Sequence, residues 1–468
     1  MTTATSTQRG EPGPVDVLAA LRAELGDAVS TDPAGLEATR SDRSGHVSAS
    51  PPLAIVTARG TEDVQAVMRI ASATGTPVVT RGAGTGLAGA AIASAGEIVL
   101  STLAMDRVLE VSVDDELAVV QPGILNAELN RRLEPHGLWF APDPASRAIS
   151  TIGGNIATNA GGLLCAKYGV TREAVLGLKV VLADGRMLEL GHRTVKGVTG
   201  YDLTALMIGS EGTLGAIVEA TLKLRPLVRG TVATISANFP GVEEAARASA
   251  VITASGLRPA IMELIGDSAM AAIAAHLGIG HPGGTQLIVQ ADGAGAEVEA
   301  AGIMTVITSL GGAAELSTDP AEGERLFGIR RAFHPAMVER GTALIEDVSV
   351  PRSTLPAMFA AIGAIERKYG IEIPTVAHAG DGNLHPNFIV PRTGTGEDGE
   401  VPDHIWAAAD EMFLAALRLG GTLTGEHGVG ILKKRWLRDE LGDEQLALQQ
   451  QVKAVFDPLG ILNPGKVF

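Results

Sequence analysis

Three glycine-rich stretches, RGAGTGLAG from Arg81, STIGGNIATNAGG from Ser150 and GYDLTALMIGSEGTLG from Gly200, interrupt the first half of the chain. Glycine lets backbone approach backbone, or a ligand, with no Cβ in the way, so three such stretches commit this half to close-packed loops. The runs between them alternate in character. LAIVT from Leu53 is β-like, TEDVQAVMRIASATG has a helical period, and EIVLSTL and LAVVQPG are β-like again, an α/β pattern. Gly84-Thr85-Gly86-Leu87-Ala88-Gly89 matches the G-x-G-x-x-G fingerprint, yet only AAIASAG separates it from the next strand, too little for the crossover helix that a nicotinamide site requires. The functional reading left for this loop is a cradle of converging N–H groups for a phosphate, beside the plain one of a turn. Small polar residues flank the glycines, and Thr151, Asn155, Asn159, Ser210 and Thr213 together suit a long dinucleotide.

At 468 residues the chain exceeds one ordinary core. After ATLKLRP the pattern restarts as alternating strands and helices of ferredoxin-like type, which places a domain boundary near residue 228. No segment has the apolar length of a membrane span, and the opening MTTATSTQRGEPGP lacks the apolar core of a secretory signal, so it reads as a short tail on a cytoplasmic protein. Lys and Arg number 37 against 53 Asp and Glu, a balance of −16 that argues against nucleic acid as a partner. Cys165 is the only cysteine, which excludes a cysteine-ligated iron–sulfur cluster within this chain.

In HAGDGNLHPNF from His378, Asp381-Gly382 has the chemistry of a two-residue hairpin turn. Folded there, the chain pairs Gly380 with Asn383, Ala379 with Leu384 and His378 with His385, bringing two imidazoles within reach of one metal ion. Two solvated histidines beside a surface turn is the plain alternative.

Nine motifs occur in register: RGAGTGLAGA, VVQPG, HGLWFAPDP, TIGGNIATNAGG, KYG, GYDLTALMIGSEGTLG, HAGDGNLHP, TGEHGVG and FDPLGILNPGK. As a set they resemble the FAD-linked 2-hydroxyacid dehydrogenases of the vanillyl-alcohol-oxidase type, the branch of the glycolate oxidase D subunit, D-lactate dehydrogenase and D-2-hydroxyglutarate dehydrogenase. The resemblance implies an α+β fold: a tail and helix at 1–48, a two-subdomain FAD-binding domain of the vanillyl-alcohol-oxidase/p-cresol-methylhydroxylase type at 49–228, a ferredoxin-like antiparallel-sheet cap at 229–430 holding a metal site, and a segment at 431–468 returning to the flavin. It places non-covalent FAD on Arg81, Gly82, Ala83, Gly84, Thr85, Gly86 and Leu87, with Pro142, Asp143, Thr151, Gly154, Asn155, Asn159, Glu211, Ile217 and Asn463. It also assigns Glu426 as third ligand beside His378 and His385, two imidazoles and one carboxylate that leave coordination positions open for zinc or manganese.

Oxidation of a D-2-hydroxy acid to the 2-oxo acid then follows, by hydride transfer to flavin N5, with His427 as base or, alternatively, as a further metal ligand. Arg330 or Arg331 would clamp the substrate carboxylate, with Asn387 nearby. Ile345 stands where the 2-hydroxyglutarate enzymes have a lysine, and His334 where they have a threonine, which favours D-lactate or glycolate over D-2-hydroxyglutarate. A mononuclear metallohydrolase is the reading from another class; it leaves the glycine loops idle. The expected partners are an external electron acceptor (a quinone, an electron-transfer flavoprotein or an iron–sulfur subunit, which could hold the protein against a membrane) and, with oligomeric state open, a second copy.

Overall fold

The computed structural model describes residues 16–281, 283–390 and 401–468; the expected N-terminal tail lies outside them. Three β-sheets organise the described residues, apart from one two-stranded ribbon. In the first, Ala54–Thr57 and Val78–Arg81 run parallel to Ile98–Ser101, which lies between them, and Val29–Ser30 adds an antiparallel edge. The helix Thr61–Thr74 covers this sheet because Val64, Val67, Met68 and Ala71 recur at three- and four-residue spacing on one face, and Gly75 ends it in the left-handed conformation. The second sheet is wholly antiparallel, in the order Val108–Ser112, Leu117–Val120, Ala216–Lys223, Val175–Val181, Met187–Gly191. The first glycine-rich stretch joins Val78–Arg81 to Ile98–Ser101 within the first sheet, and the other two lead into Val175–Val181 and Ala216–Lys223 of the second.

The third sheet has eight strands, all antiparallel. Ile261–Ile265 lies near its centre between Thr285–Gly293 and Thr375–His378, and Asn383–Val390 follows. The period of two splits IMELI between two cores. Met262 and Leu264 face the helices Val242–Ala254, Ala296–Ser309, Leu355–Tyr369 and Asp403–Arg418. Ile261 and Ile265 face Asp267–Leu277, Pro320–Arg331 and Phe333–Arg340, against which Leu163 and Leu164, just after the second glycine-rich stretch, also pack. Glu263 shares the face of Ile261 and Ile265 and is fully buried there, so it must be paired.

The C-terminal residues lie against the first sheet: Leu462 bridges to Val78 in parallel, and Ile461 and Leu462 are buried in its core. Among the described residues no helix is long and apolar enough to cross a membrane.

Candidate active site

His378 and His385 come from adjacent strands, Thr375–His378 and Asn383–Val390. The register differs from the two-residue turn expected. His378 pairs with Asn383, Ala377 with Leu384 and Val376 with His385, so Ala379 to Gly382 form a four-residue turn. Tertiary packing selects it: a Cβ on Gly382 would lie 2.1 Å from the Val350 carbonyl oxygen, and the Gly382 N–H donates to His378 O at 3.0 Å. The slip is by two positions, an even number, so both histidines stay on one face as diagonal neighbours. Their ring centroids are 5.0 Å apart, nearly perpendicular.

Glu426 reaches this pair from a loop that two buried carboxylates hold. Asp347 Oδ2 accepts from Thr424 Oγ1 at 2.6 Å and from the N–H groups of Glu426 and His427 at 3.0 and 2.9 Å, while its Oδ1 accepts from Asn383 Nδ2 at 2.6 Å. From the other side Glu211 accepts the N–H groups of Val429 and Gly430 at 2.7 and 2.9 Å. Close approach continues at the second glycine-rich stretch, where a Cβ on Gly161 would lie 2.5 Å from Glu426 Oε1.

The resulting donor set is compact. Glu426 Oε1 lies 3.5 Å from His378 Nε2, and Oε2 lies 3.8 Å from His385 Nε2. These separations are wide for hydrogen bonds and fit ligands each about 2.0–2.1 Å from one shared cation. Burial, with His378 adding to it, pushes His385 down to about 3, so this imidazole is neutral with a lone pair to give. Burial alone would raise the Glu426 carboxyl, but His378 and His385 hold it at about 2. His378 Nδ1 is 2.6 Å from Glu263 Oε1, which leaves its Nε2 for the cluster. Asp347, His385 and His427 form a second group of similar span, but the hydrogen bonds to Asp347 already engage both its oxygens.

His427 stacks on His385, centroids 5.3 Å apart and planes 17° from parallel. Its Nδ1 is buried with no hydrogen-bond partner among the described residues, and burial lowers its pKa below the usual histidine value. Arg330 donates from Nε to Glu263 Oε2 at 2.8 Å. Arg331 turns instead to Glu324 on its own helix and is half exposed. Asn387 is buried and donates to His385 O at 3.1 Å.

One cavity of about 1330 Å³ joins these residues to the glycine-rich stretches. Gly82 to Leu87, Asp143, Thr151, Gly154, Asn155, Glu211 and Ile217 line one part, and Arg330, Arg331, Asn387, His378, His385, Glu426 and His427 the other. Arg81, Pro142, Asn159 and Asn463 are not among the lining residues; they brace the loops from behind. Arg81 donates to the carbonyls of Ala91 and Ser41, and Asn463 to those of Ala90 and Glu211. Asn159 accepts from Arg172 N, and the Pro142 carbonyl from Asn126 Nδ2.

Sequence reasoning missed Glu263, Asp347 and Lys433, the last buried 3.5 Å from Asp347 and 3.7 Å from Glu346. For Glu263 and Asp347 the available signal was an acid inside an apolar run, IMELI and IEDVSV.

Residues 230–467 match the family described as FAD linked oxidases, C-terminal domain, and residues 52–191 match an FAD binding domain. The chain belongs to the FAD-linked oxidases. It is 39% identical to glycolate oxidase subunit GlcD of Bacillus subtilis, over 90% of this chain and 89% of that protein. It is 35% identical to D-2-hydroxyglutarate dehydrogenase of Xanthomonas citri pv. viticola, over 94% of each, and 34% identical to D-lactate dehydrogenase of Archaeoglobus fulgidus, over 88% of this chain and 90% of that protein. Among solved structures p-cresol methylhydroxylase shares the fold, with a TM-score of 0.79 over 96% of each chain at 18% identity. An FAD-linked oxidoreductase with this two-part fold has a use for both parts of the cavity. The glycine-lined part fits a bound dinucleotide: a Cβ on Gly82 would lie 2.4 Å from Thr151 Oγ1, and Asn155 Nδ2 is buried there without a partner among the described residues.

Proposed function

We propose that this FAD-linked oxidase oxidises a D-2-hydroxy monocarboxylic acid, of the D-lactate or glycolate type, to the 2-oxo acid. The observation that carries the reading is the cluster of His378, His385 and Glu426, with His427 stacked beside it, opening into the same cavity as the glycine loops. FAD, when bound, supplies the acceptor for the electron pair leaving the substrate Cα–H, and a divalent cation, zinc or manganese, supplies Lewis acidity to the hydroxyl. Gly82 to Leu87, Thr151, Gly154 and Asn155 would hold the dinucleotide, with Asp143 and Ile217 beside it; His378, His385 and Glu426 would hold the cation. Arg330 binds and orients the substrate carboxylate through its Nη groups, since only Nε is engaged by Glu263. His427, kept neutral by burial, takes the hydroxyl proton on an imidazole nitrogen. The test is purified protein assayed for bound FAD and metal, then run on a panel of 2-hydroxy acids with an artificial dye acceptor. Protein that takes up no FAD, or that reduces no dye with any 2-hydroxy acid, overturns the proposal.

The substrate class rests on what faces the cavity. Ile345 and His334 line it and neither offers a fixed cation to a second carboxylate, while Arg331 on the same wall is engaged by Glu324. A charge-assisted hydrogen bond contributes about 1.5–3 kcal/mol, so D-2-hydroxyglutarate is expected to have a specificity constant at least about tenfold below that of D-lactate. Equal constants for the two acids contradict this.

Electrons must also leave. With Cys165 as the only cysteine the chain holds no cysteine-ligated cluster, so the acceptor is external: a quinone, an electron-transfer flavoprotein or an iron–sulfur partner subunit. Under air, flavin reoxidation is expected to be slow without an added acceptor. Stoichiometric peroxide at the rate of dye reduction would instead make the protein an oxidase.

A further inference from the structure

Glu263 is a charged residue in the centre of an apolar strand, with no exposed surface. Its two oxygens face different parts of the site: Oε1 lies 2.6 Å from His378 Nδ1, and Oε2 accepts from Arg330 Nε at 2.8 Å. Strand pairing sets the first contact, because Glu263 sits directly across from His378 in the sheet. The second comes from the last turn of the helix Pro320–Arg331, which packs on the same face.

Resting on the functional reading above, we propose that Glu263 is the positioning residue that couples substrate binding to metal binding, one carboxylate aiming both the guanidinium that holds the substrate and the imidazole that holds the cation. Its contact with Nδ1 fixes the tautomer in which that nitrogen carries the proton, so that His378 Nε2 presents its lone pair toward Glu426. Its contact with Nε holds Arg330 by one edge and leaves both Nη groups turned from Glu263. A carboxylate can accept two N–H bonds at once; an amide has one acceptor oxygen, and its NH₂ would meet a second donor. Neutral Glu263→Gln therefore cannot serve both partners: its NH₂ opposes one donor, and the bond its oxygen keeps to the other loses its charge assistance, so both functions are lost in part.

The experiment compares Glu263→Gln and Glu263→Asp with wild type in the FAD-loaded full chain. Zinc affinity is measured by chelator competition without substrate, and kcat and KM for D-lactate with a dye acceptor at saturating zinc. Bound FAD reports that each variant is folded. For Glu263→Gln the expected result is a ten- to hundredfold loss of zinc affinity, the usual effect of removing such a support, and a KM raised at least about fivefold even when zinc is saturating, with FAD retained. Glu263→Asp, which keeps the charge, is expected to recover part of both. The proposal is overturned if zinc affinity and KM both stay within twofold of wild type. It is equally overturned if only one of them changes, since Glu263 would then serve one partner alone. Should Glu263→Gln fail to retain FAD, the same criteria apply to Glu263→Asp, whose shorter reach must weaken both properties together. Wild-type protein that binds zinc but oxidises no 2-hydroxy acid overturns the functional reading instead; the zinc titration, with oxalate binding read from the flavin spectrum in place of KM, then decides the role of Glu263.

Discussion

Replacing His427 with Asn is expected to keep FAD and metal while lowering the rate of flavin reduction by roughly 10²–10⁴, the usual contribution of a positioned base. Asn has nearly the same reach and keeps the backbone N–H that donates to Asp347, so the loop holding Glu426 should stay in place. Glu426 cannot substitute, because its carboxylate faces His378 and His385. The sign of the pH dependence follows from burial, which lowers the pKa of His427. The imidazole is the working base when neutral, so activity is full above the lowered pKa and falls as pH drops through it, below the ordinary value of about 6.5; a nearby cation moves that limb further to acid. Stopped-flow reduction across pH, with substrate deuterated at Cα, checks both points: the acidic limb disappears in the variant while the isotope effect persists. A variant that loses its metal would make His427 a ligand, and one that reduces flavin at the wild-type rate would show that the proton goes directly to solvent.

Removing a metal ligand is expected to act on a different quantity. His378→Ala or His385→Ala should abolish tight metal binding and lower turnover by more than about a hundredfold, since Lewis-acid stabilisation contributes several kcal/mol. FAD content should be unchanged, because both histidines come from the large antiparallel sheet whereas the glycine loops lead into strands of the two smaller ones. Treating wild type with a chelator should give the same loss, reversed by zinc or manganese. A variant with normal metal content would remove the basis for the shared-cation geometry.

How far these residues could be read from the sequence depended on how local their chemistry is. The glycine loops announce themselves because a loop that must approach another backbone needs glycine whatever surrounds it. His378 and His385 on one face were legible because the period of a strand survives an even slip in register; the register itself was not, since the four-residue turn is selected by Val350, far from it in sequence. Glu263 and Asp347 were hidden for the complementary reason. Each sits in an apolar run, and what makes it functional is a partner 115 residues away for Glu263 and 80 for Asp347. Arg81, Asn159 and Asn463 show a third limit. A polar side chain in a glycine loop can face the cavity or the carbonyls behind it, and local sequence is the same in both cases.

The grip of Glu211 on the Val429–Gly430 backbone has a mechanical consequence. Glu211 belongs to the third glycine-rich stretch, while the loop it grips carries Glu426 and His427. The loop is thus pinned from both walls, by Asp347 beside the large sheet and by Glu211 and the Ala88 carbonyl on the glycine side, so it works as a stitch between the two halves of the cavity. Drawing the large sheet away from the glycine side would have to break bonds at one end of this stitch, so Glu426 keeps its distance from His378 and His385 for as long as both ends hold.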